Sequence, residues 1–445
     1  MGTTGSGVAT VAAPDAVTRP SSWSRLRLDR NSVFALLSLT AASVWLWHSF
    51  GLISAVPPTA TNIALGILVL LLFLAAPRET WRMVPISITV LLLILDWSLT
   101  WFYTNNKGAW IGVMKVDLVL LIVAVAVMSV VPLERLRQVG LGCFIAIVGF
   151  TFMTLAIDPS TLSNPDPVFG GVVSGWRGPF IHKNIMGSFM VFGYFTTCIF
   201  GNKWLRIALF PPVAILVVMC ESTTVLLLAI VVTGMFYWLG GFRRVEPRAK
   251  LVYLATTSAA AFIGLLLWEK YSDLLFRAVG KDPSLTGRTK IWEQVWLAID
   301  KHPWIGWAPG SVWVDQSRTP TREIREALGF VIFHAHSGYL EYLLNFGRIG
   351  LAIYALMAIA LFRDARRLMD YDLNAGRWGI CVLVMLLVMS IGELGTTSSW
   401  LAITLMVRLV MQRLLIQHRG PTGSTVKASR APRTDRQLLT SGHGH

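Results

Sequence analysis

Apolar residues in this chain gather into long blocks separated by short polar breaks. The blocks run about 17–25 residues, the length of helix that crosses a hydrocarbon core of about 30 Å. Lipid offers no partner to a free backbone N–H or C=O, so each block predicts a helix. Twelve spans follow: Ser32–Ala55, Thr59–Ala76, Val84–Tyr103, Ile111–Val131, Val139–Ile157, Asn184–Gly201, Leu205–Cys220, Thr223–Gly241, Leu251–Trp268, Gly338–Phe362, Arg377–Ile391 and Ser398–Leu415. Only Glu221 and Ser222 divide the seventh from the eighth. The expected fold is an all-α polytopic membrane protein.

Charge orients the spans. With the N-terminus inside, one set of loops carries Arg25, Arg27 and Arg30, then Arg78 and Arg82, Arg135 and Arg137, Lys203 and Arg206. The same side holds Arg243, Arg244, Arg248 and Lys250, then Arg363, Arg366 and Arg367, and the basic tail after Arg413. The short opposite loops hold Lys107 and no other Lys or Arg. Cationic loops stay cytoplasmic, so the expectation is N-in and C-in, a multi-pass protein of the bacterial inner membrane.

The domain plan is a cytoplasmic tail over 1–31, nine spans over 32–268 with a periplasmic loop at 158–183, a periplasmic loop domain over 269–337, three spans over 338–415 and a disordered tail over 416–445. In the large loop, Trp292, Val295, Trp296 and Ile299 fall at i, i+3, i+4 and i+7, which predicts an amphipathic helix over 289–301. His302-Pro303 ends it, Gly306 and Gly310 mark a turn, and a second short helix is expected over Thr321–Leu328. No internal repeat is evident.

Composition narrows the class. The chain is 54% hydrophobic and 14% charged, with net charge +15. The basic residues are scattered through loops and tails, so no nucleic-acid partner is expected; membrane lipids are. The cysteines at 143, 198, 220 and 381 lie in or beside apolar blocks, and no disulfide framework is expected.

Three polar clusters carry candidate chemistry. The first is Trp176-Arg177-Gly178-Pro179-Phe180-Ile181-His182-Lys183-Asn184, at the mouth of the sixth span. An Arg fork above free helix N–H groups suits a diphosphate, and an arginine among headgroups is the plainer alternative. The second is Ser284-Leu285-Thr286-Gly287-Arg288-Thr289-Lys290-Ile291-Trp292. Arg288 opens a helix where the dipole disfavours a cation, which a bound anion would explain. The third is His334-Ala335-His336-Ser337-Gly338-Tyr339-Leu340-Glu341. Two histidines at i and i+2 of an extended segment share a face. Zinc with His182 or Glu341, a histidine as general base, and interfacial rings satisfied by headgroups all stay open. Asp96, Lys115, Asp117, Glu221 and Glu393 lean to the same side, and Arg348 lies within its span and needs a partner or a ligand.

The run Ser284-Leu285-Thr286-Gly287-Arg288, Ile291-Trp292, then His302-Pro303-Trp304-Ile305-Gly306-Trp307, then His334-Ala335-His336-Ser337-Gly338-Tyr339-Leu340, Phe346-Gly347 and Ile349-Gly350-Leu351 resembles the O-antigen ligase and polymerase superfamily. It is most similar to the exopolysaccharide-polymerase branch, of succinoglycan type. The resemblance covers roughly the second half of the chain, with Arg177-Gly178 and Asn184 upstream. It implies a metal-independent glycosyl transfer, without cofactor, from undecaprenyl-diphosphate-linked oligosaccharides. It places Arg177 and Arg288 on the donor diphosphate and makes His336 the residue that activates or orients the acceptor hydroxyl, with His334 as the weaker candidate. Asn184, Lys183, Glu341 and Arg348 are supporting candidates. A flippase and a chain-length regulator are the implied pathway partners. Ser337 departs from the asparagine common after the functional histidine, which leaves the acceptor open. A ligase acting on a lipid core or a protein is the alternative, and a transporter the third reading.

Overall fold

A computed structural model of the chain describes residues 88–111, 113–114, 133–165, 172–180, 182–278, 288–313, 319–392 and 398–419, with isolated positions between 64 and 74. The first span, nearly all of the second and fourth, the residues Lys115, Asp117 and Glu393, and the tails at 1–31 and 420–445 lie outside the described residues; residues 416–419 of the expected tail are helical.

The apolar blocks form helices because only a helix closes its own backbone hydrogen bonds in lipid. They are α1 (Ile88–Tyr103), α2 (Leu133–Ile157), α3 (Lys183–Phe200), α4 (Lys203–Met219), α5 (Thr223–Arg244), α6 (Lys250–Ala278), α9 (Gly338–Leu368), α10 (Leu373–Gly392) and α11 (Ser398–Arg419). Between α6 and α9 lie α7 (Arg288–Lys301) and α8 (Thr321–Leu328). Leu136–Ile157, Thr223–Arg244, Gly338–Leu368 and Leu373–Ile391 are long and apolar enough to cross a membrane. The chain is thus a mostly helical membrane protein.

Polar caps set the boundaries. Asn202 Oδ1 accepts the Leu205 N–H at the start of α4. Ser222 Oγ accepts the Val225 N–H at the start of α5. Such caps satisfy first-turn donors that have no helical partner. Ser222 therefore does divide the two helices, with Glu221 turning the chain at φ 49°.

One departure from the all-α expectation is a short antiparallel pair, β1 (Ser163–Pro165) with β2 (Val172–Ser174). A 3-10 turn over Pro159–Leu162 precedes it, capped by Asp158.

Among the described residues, three apolar clusters join the helices. The largest joins α2, α3, α4, α5, α9, α10 and α11 around residues such as Phe189, Leu216, Leu361 and Leu386. A second, with Ile291, Val295, Ile299, Ile324 and Leu344, seats α7 and α8 on the start of α9. A third packs Leu93 and Trp97 of α1 against Tyr342, Phe346 and Tyr354 of α9. The face of α7 differs from the expected one. Ile291, Val295, Ala298 and Ile299 point inward, whereas Trp296 is exposed. Both patterns have helical spacing, and docking onto α9 selects the aliphatic stripe.

Candidate active site

The tenth apolar block is not one uninterrupted helix. Gly347 stands at φ 65°, ψ −165° inside α9 and splits it after Phe346. A break leaves carbonyls before it and N–H groups after it without helical partners. The loop that follows α7 satisfies two of each. Trp307 and Ala308 donate their N–H groups to the carbonyls of Leu344 and Asn345, at 2.8 and 3.0 Å. Arg348 and Ile349 donate theirs to the carbonyls of Pro303 and Trp304, at 2.9 and 3.1 Å. A Cβ on Gly347 would meet the Trp304 carbonyl carbon at 2.3 Å. The His302–Trp307 motif and the Phe346-Gly347 motif are therefore two halves of one joint. Arg348 begins the second segment, exposed, with its guanidinium 5.5 Å from the Trp304 ring. The partner that its depth seemed to demand is an aromatic face.

The joint fixes the entry to α9, where the histidines lie. His334 and His336 bring their rings together, with centroids 3.9 Å apart and planes tilted by 54°. They do so through a turn and not through the extended segment expected. His336 has φ 50°, a left-handed conformation costly for a residue with a Cβ. Its N–H donates to His334 Nδ1 at 3.2 Å. A neutral ring that accepts at Nδ1 carries its proton on Nε2, so His334 is a donor at its other nitrogen.

His182 joins this pair from the start of α3. Its Nδ1 accepts the Asn184 N–H at 3.2 Å, capping the helix. Arg288, at the first position of α7, is near enough to act on all three rings. Burial comes first in lowering the pKa of His334 to about 4, followed by the charge of Arg288. His336 is lowered to about 3 by burial, then by His334, Arg288 and His182. His182 stands at the open edge of the group; enclosure of its ring still leads, with Lys183, His334 and Arg288 behind it, in lowering it to about 4. The three imidazoles are neutral at pH 7.

Other candidates sit differently. Arg177 folds back on its own turn, donating through Nε to the Ser163 carbonyl at 3.1 Å and through Nη1 to the Phe180 carbonyl at 3.2 Å. Two of its guanidinium donors are thus engaged by loop carbonyls. Lys183 Nζ donates to the Ser174 carbonyl at 2.6 Å and ties β2 to α3. Asn184 is buried in the first turn of α3.

Glu341 lies buried one turn into α9. Its Oε2 accepts the Ala335 N–H at 2.9 Å, and its Oε1 accepts from Trp313 Nε1 at 2.7 Å and Asn345 Nδ2 at 3.1 Å. A carboxylate already surrounded by three donors is not poised to ligate zinc. Among the described residues, no three His, Cys, Asp or Glu side chains gather as a metal site. Trp292, Trp313 and Asn345 were not singled out for this role by sequence. The spacing from Arg288 to Trp292, one helical turn, was the available signal.

Residues 208–355 match the family described as O-Antigen ligase. That stretch holds Arg288, His334, His336 and the Gly347 joint, with Arg177 and His182 upstream of it. The Exopolysaccharide production protein ExoQ of Rhizobium meliloti (strain 1021) is 27% identical over 226 residues, covering 46% of this chain and 50% of that protein. The resemblance to the O-antigen ligase superfamily, exopolysaccharide branch, is borne out. This chain spans about half the length of that curated relative.

Proposed function

We propose that this chain polymerises undecaprenyl-diphosphate-linked oligosaccharide repeat units into exopolysaccharide at the periplasmic face of the bacterial inner membrane. The observation that carries the reading is the meeting of Arg288 with His182, His334 and His336 at the entry to α9. In this reading the chain crosses the membrane twelve times, N-in and C-in. The loops at 158–183 and 269–337 are periplasmic, and the opposite end of α9 with Arg363, Arg366 and Arg367 is cytoplasmic.

The acceptor hydroxyl oxygen attacks the anomeric carbon of the donor sugar, and the bond from that carbon to the diphosphate oxygen breaks. The electron pair leaves with undecaprenyl diphosphate, whose growing charge Arg288 stabilises. The hydroxyl proton passes to His336. An imidazole lowered to about 3 is a weak base. The arriving diphosphate offsets the Arg288 charge that contributes to that lowering, and so raises the ring toward the range useful for general base catalysis. Nδ1 of His334 already accepts a hydrogen bond, which favours His336 as the proton acceptor. Arg177 is the second diphosphate-binding arginine of this reading; two of its five N–H donors hold the Ser163 and Phe180 carbonyls. Glu341, Asn184, Lys183 and Arg348 serve as structural support.

Proteoliposomes given a defined lipid-linked repeat unit test the reading. Chain growth by wild type and its loss in Arg288→Ala and His336→Ala are expected. Normal polymer from both variants would refute the site. The family described as O-Antigen ligase favours a second reading, transfer to a lipid core or a protein. A capped acceptor without chain growth in the same assay would select it. Flipping without bond formation would select a transporter. A flippase and a chain-length regulator are the proposed pathway partners.

A further inference from the structure

The peptide at Ala335, between the two histidines, is held from both sides. Its N–H donates to Glu341 Oε2 at 2.9 Å, from the first turn of α9. Its carbonyl accepts from Trp292 Nε1 at 3.1 Å, from the second turn of α7. Ala335 itself is fully buried, so this peptide cannot exchange either partner for water. The residue that follows is His336, in its left-handed conformation. That conformation persists only where the surroundings impose it.

The acceptor side of this clamp is built for a carboxylate. Ala335 N–H, Trp313 Nε1–H and Asn345 Nδ2–H all donate to Glu341. Ionised carboxylate is the side chain that offers acceptors alone at both oxygens. An amide in its place would turn its NH2 toward one of these donors. Asn345 then links the clamp to the joint in α9, because its own carbonyl receives the Ala308 N–H. Trp292 lies one helical turn beyond Arg288, so the same peptide ties the arginine's helix to the histidine's turn.

We propose that Glu341 and Trp292 are positioning residues that clamp the Ala335 peptide and thereby set His336 against Arg288 for the transfer step. Neither touches the substrate in this scheme. The proposal rests on the glycosyl-transfer reading above and adds to it the pair of groups that aim the imidazole. Their loss displaces the ring without removing it, and displacement of a reacting group by about 1 Å lowers turnover by about 100-fold.

The experiment uses the full chain in proteoliposomes, with the undecaprenyl-diphosphate-linked repeat unit isolated from host cells lacking the gene. Glu341→Gln, Trp292→Phe, the double variant and His336→Ala are compared at equal amounts of folded protein. Expected are kcat values about 10–100-fold below wild type for each clamp variant, with donor KM changed by less than about threefold. The double variant should lose little more than the worse single one, because both act on one peptide. A structural role alone would lower thermal stability and leave kcat per folded molecule in place. Wild-type kcat in the clamp variants, or a rise confined to KM, overturns the proposal while an inactive His336→Ala keeps the site reading. Wild-type turnover by His336→Ala overturns the site reading and this proposal with it. Should Glu341→Gln fail to fold, Trp292→Phe decides alone, since it keeps the ring and removes only the donor.

Discussion

Each imidazole at the entry to α9 is held below its ordinary range, and the sign of that shift has a consequence for stability. The folded pKa values of about 3 to 4 lie under the unfolded value of 6.5. Above pH 6.5 both states leave the rings neutral, and the full stability is present. As the pH falls from 6.5 toward 4 and then 3, the unfolded chain binds protons that the folded site resists, so stability is lost across that window. Thermal unfolding in detergent between pH 7.5 and 4.5 should show a falling midpoint. Replacing His336 and His334 by Phe and Gln should flatten that fall, and an unchanged pH slope would contradict the burial of the rings. For activity, His336→Ala should lower turnover by about 100-fold or more, the usual worth of a placed general base. His334→Ala should lower it less, because His334 contributes through its hydrogen bond to His336. The sequence brought Arg288, His334 and His336 into one candidate set by motif. It placed the histidines on an extended segment, because no local residue announces φ 50° at His336; that turn is imposed by the clamp on Ala335 and by the Nδ1 bond. The bonds of Arg177 were not legible: its type and spacing suit a phosphate, and its hold on the Ser163 and Phe180 carbonyls depends on how the surrounding loop folds.

Among the elements, α9 carries the sharpest test. Its hydropathy reads as one continuous block, and hydropathy does not report a backbone break whose freed groups are satisfied by a distant loop. The glycines were visible in the sequence, but their meaning was not, since Gly347 and Gly306 matter through close approach to partners some forty residues away. Gly347→Ala should destabilise by about 3 kcal/mol or more, because both the left-handed φ and the 2.3 Å approach to Trp304 resist a methyl group. A melting temperature equal to wild type would show that the break is not held by this contact. Helix ends were more legible, since Asn202 and Ser222 cap in the standard way and Thr321–Leu328 ends at Gly329 with φ 74°. The face of α7 was half legible, because Trp292, Val295 and Ile299 were placed correctly and Trp296 was not. A 3.6-residue period admits neighbouring stripes, and only the partner surface on α8 and α9 chooses between them.

Seen whole, the helical bundle has two chemically different ends, and α9 runs between them. One end holds neutral imidazoles, Arg288 and an interlocked loop. The other holds ion pairs that tie helices together: Arg243 reaches Asp370 at 2.6 Å and the Met369 carbonyl at 3.0 Å, while buried Arg408 meets Asp364 at 3.3 Å. Gln412 adds a second donor to the same Asp364 oxygen. An uncompensated buried charge is costly, so Arg408→Ala should strip about 3–5 kcal/mol from α9 and α11. Hydrophobic replacement of Asp364 and Arg408 together should restore most of it, and equal losses in the single and double variants would deny the pairing. The same asymmetry makes the topology testable. Glu246 follows α5 beside Arg243 and Arg244, and Glu326 lies on α8 in the large loop; both are exposed. If lipid-linked sugars are joined outside the cell's inner membrane, single cysteines at these positions must face opposite solutions. With the native cysteines removed, Glu326→Cys should react with a membrane-impermeant maleimide in intact spheroplasts. Glu246→Cys should react only after lysis. The reverse labelling would put the histidines and Arg288 in the cytosol, away from any exported glycan, and the polymerase reading would fail for the molecule as a whole even with every local distance unchanged.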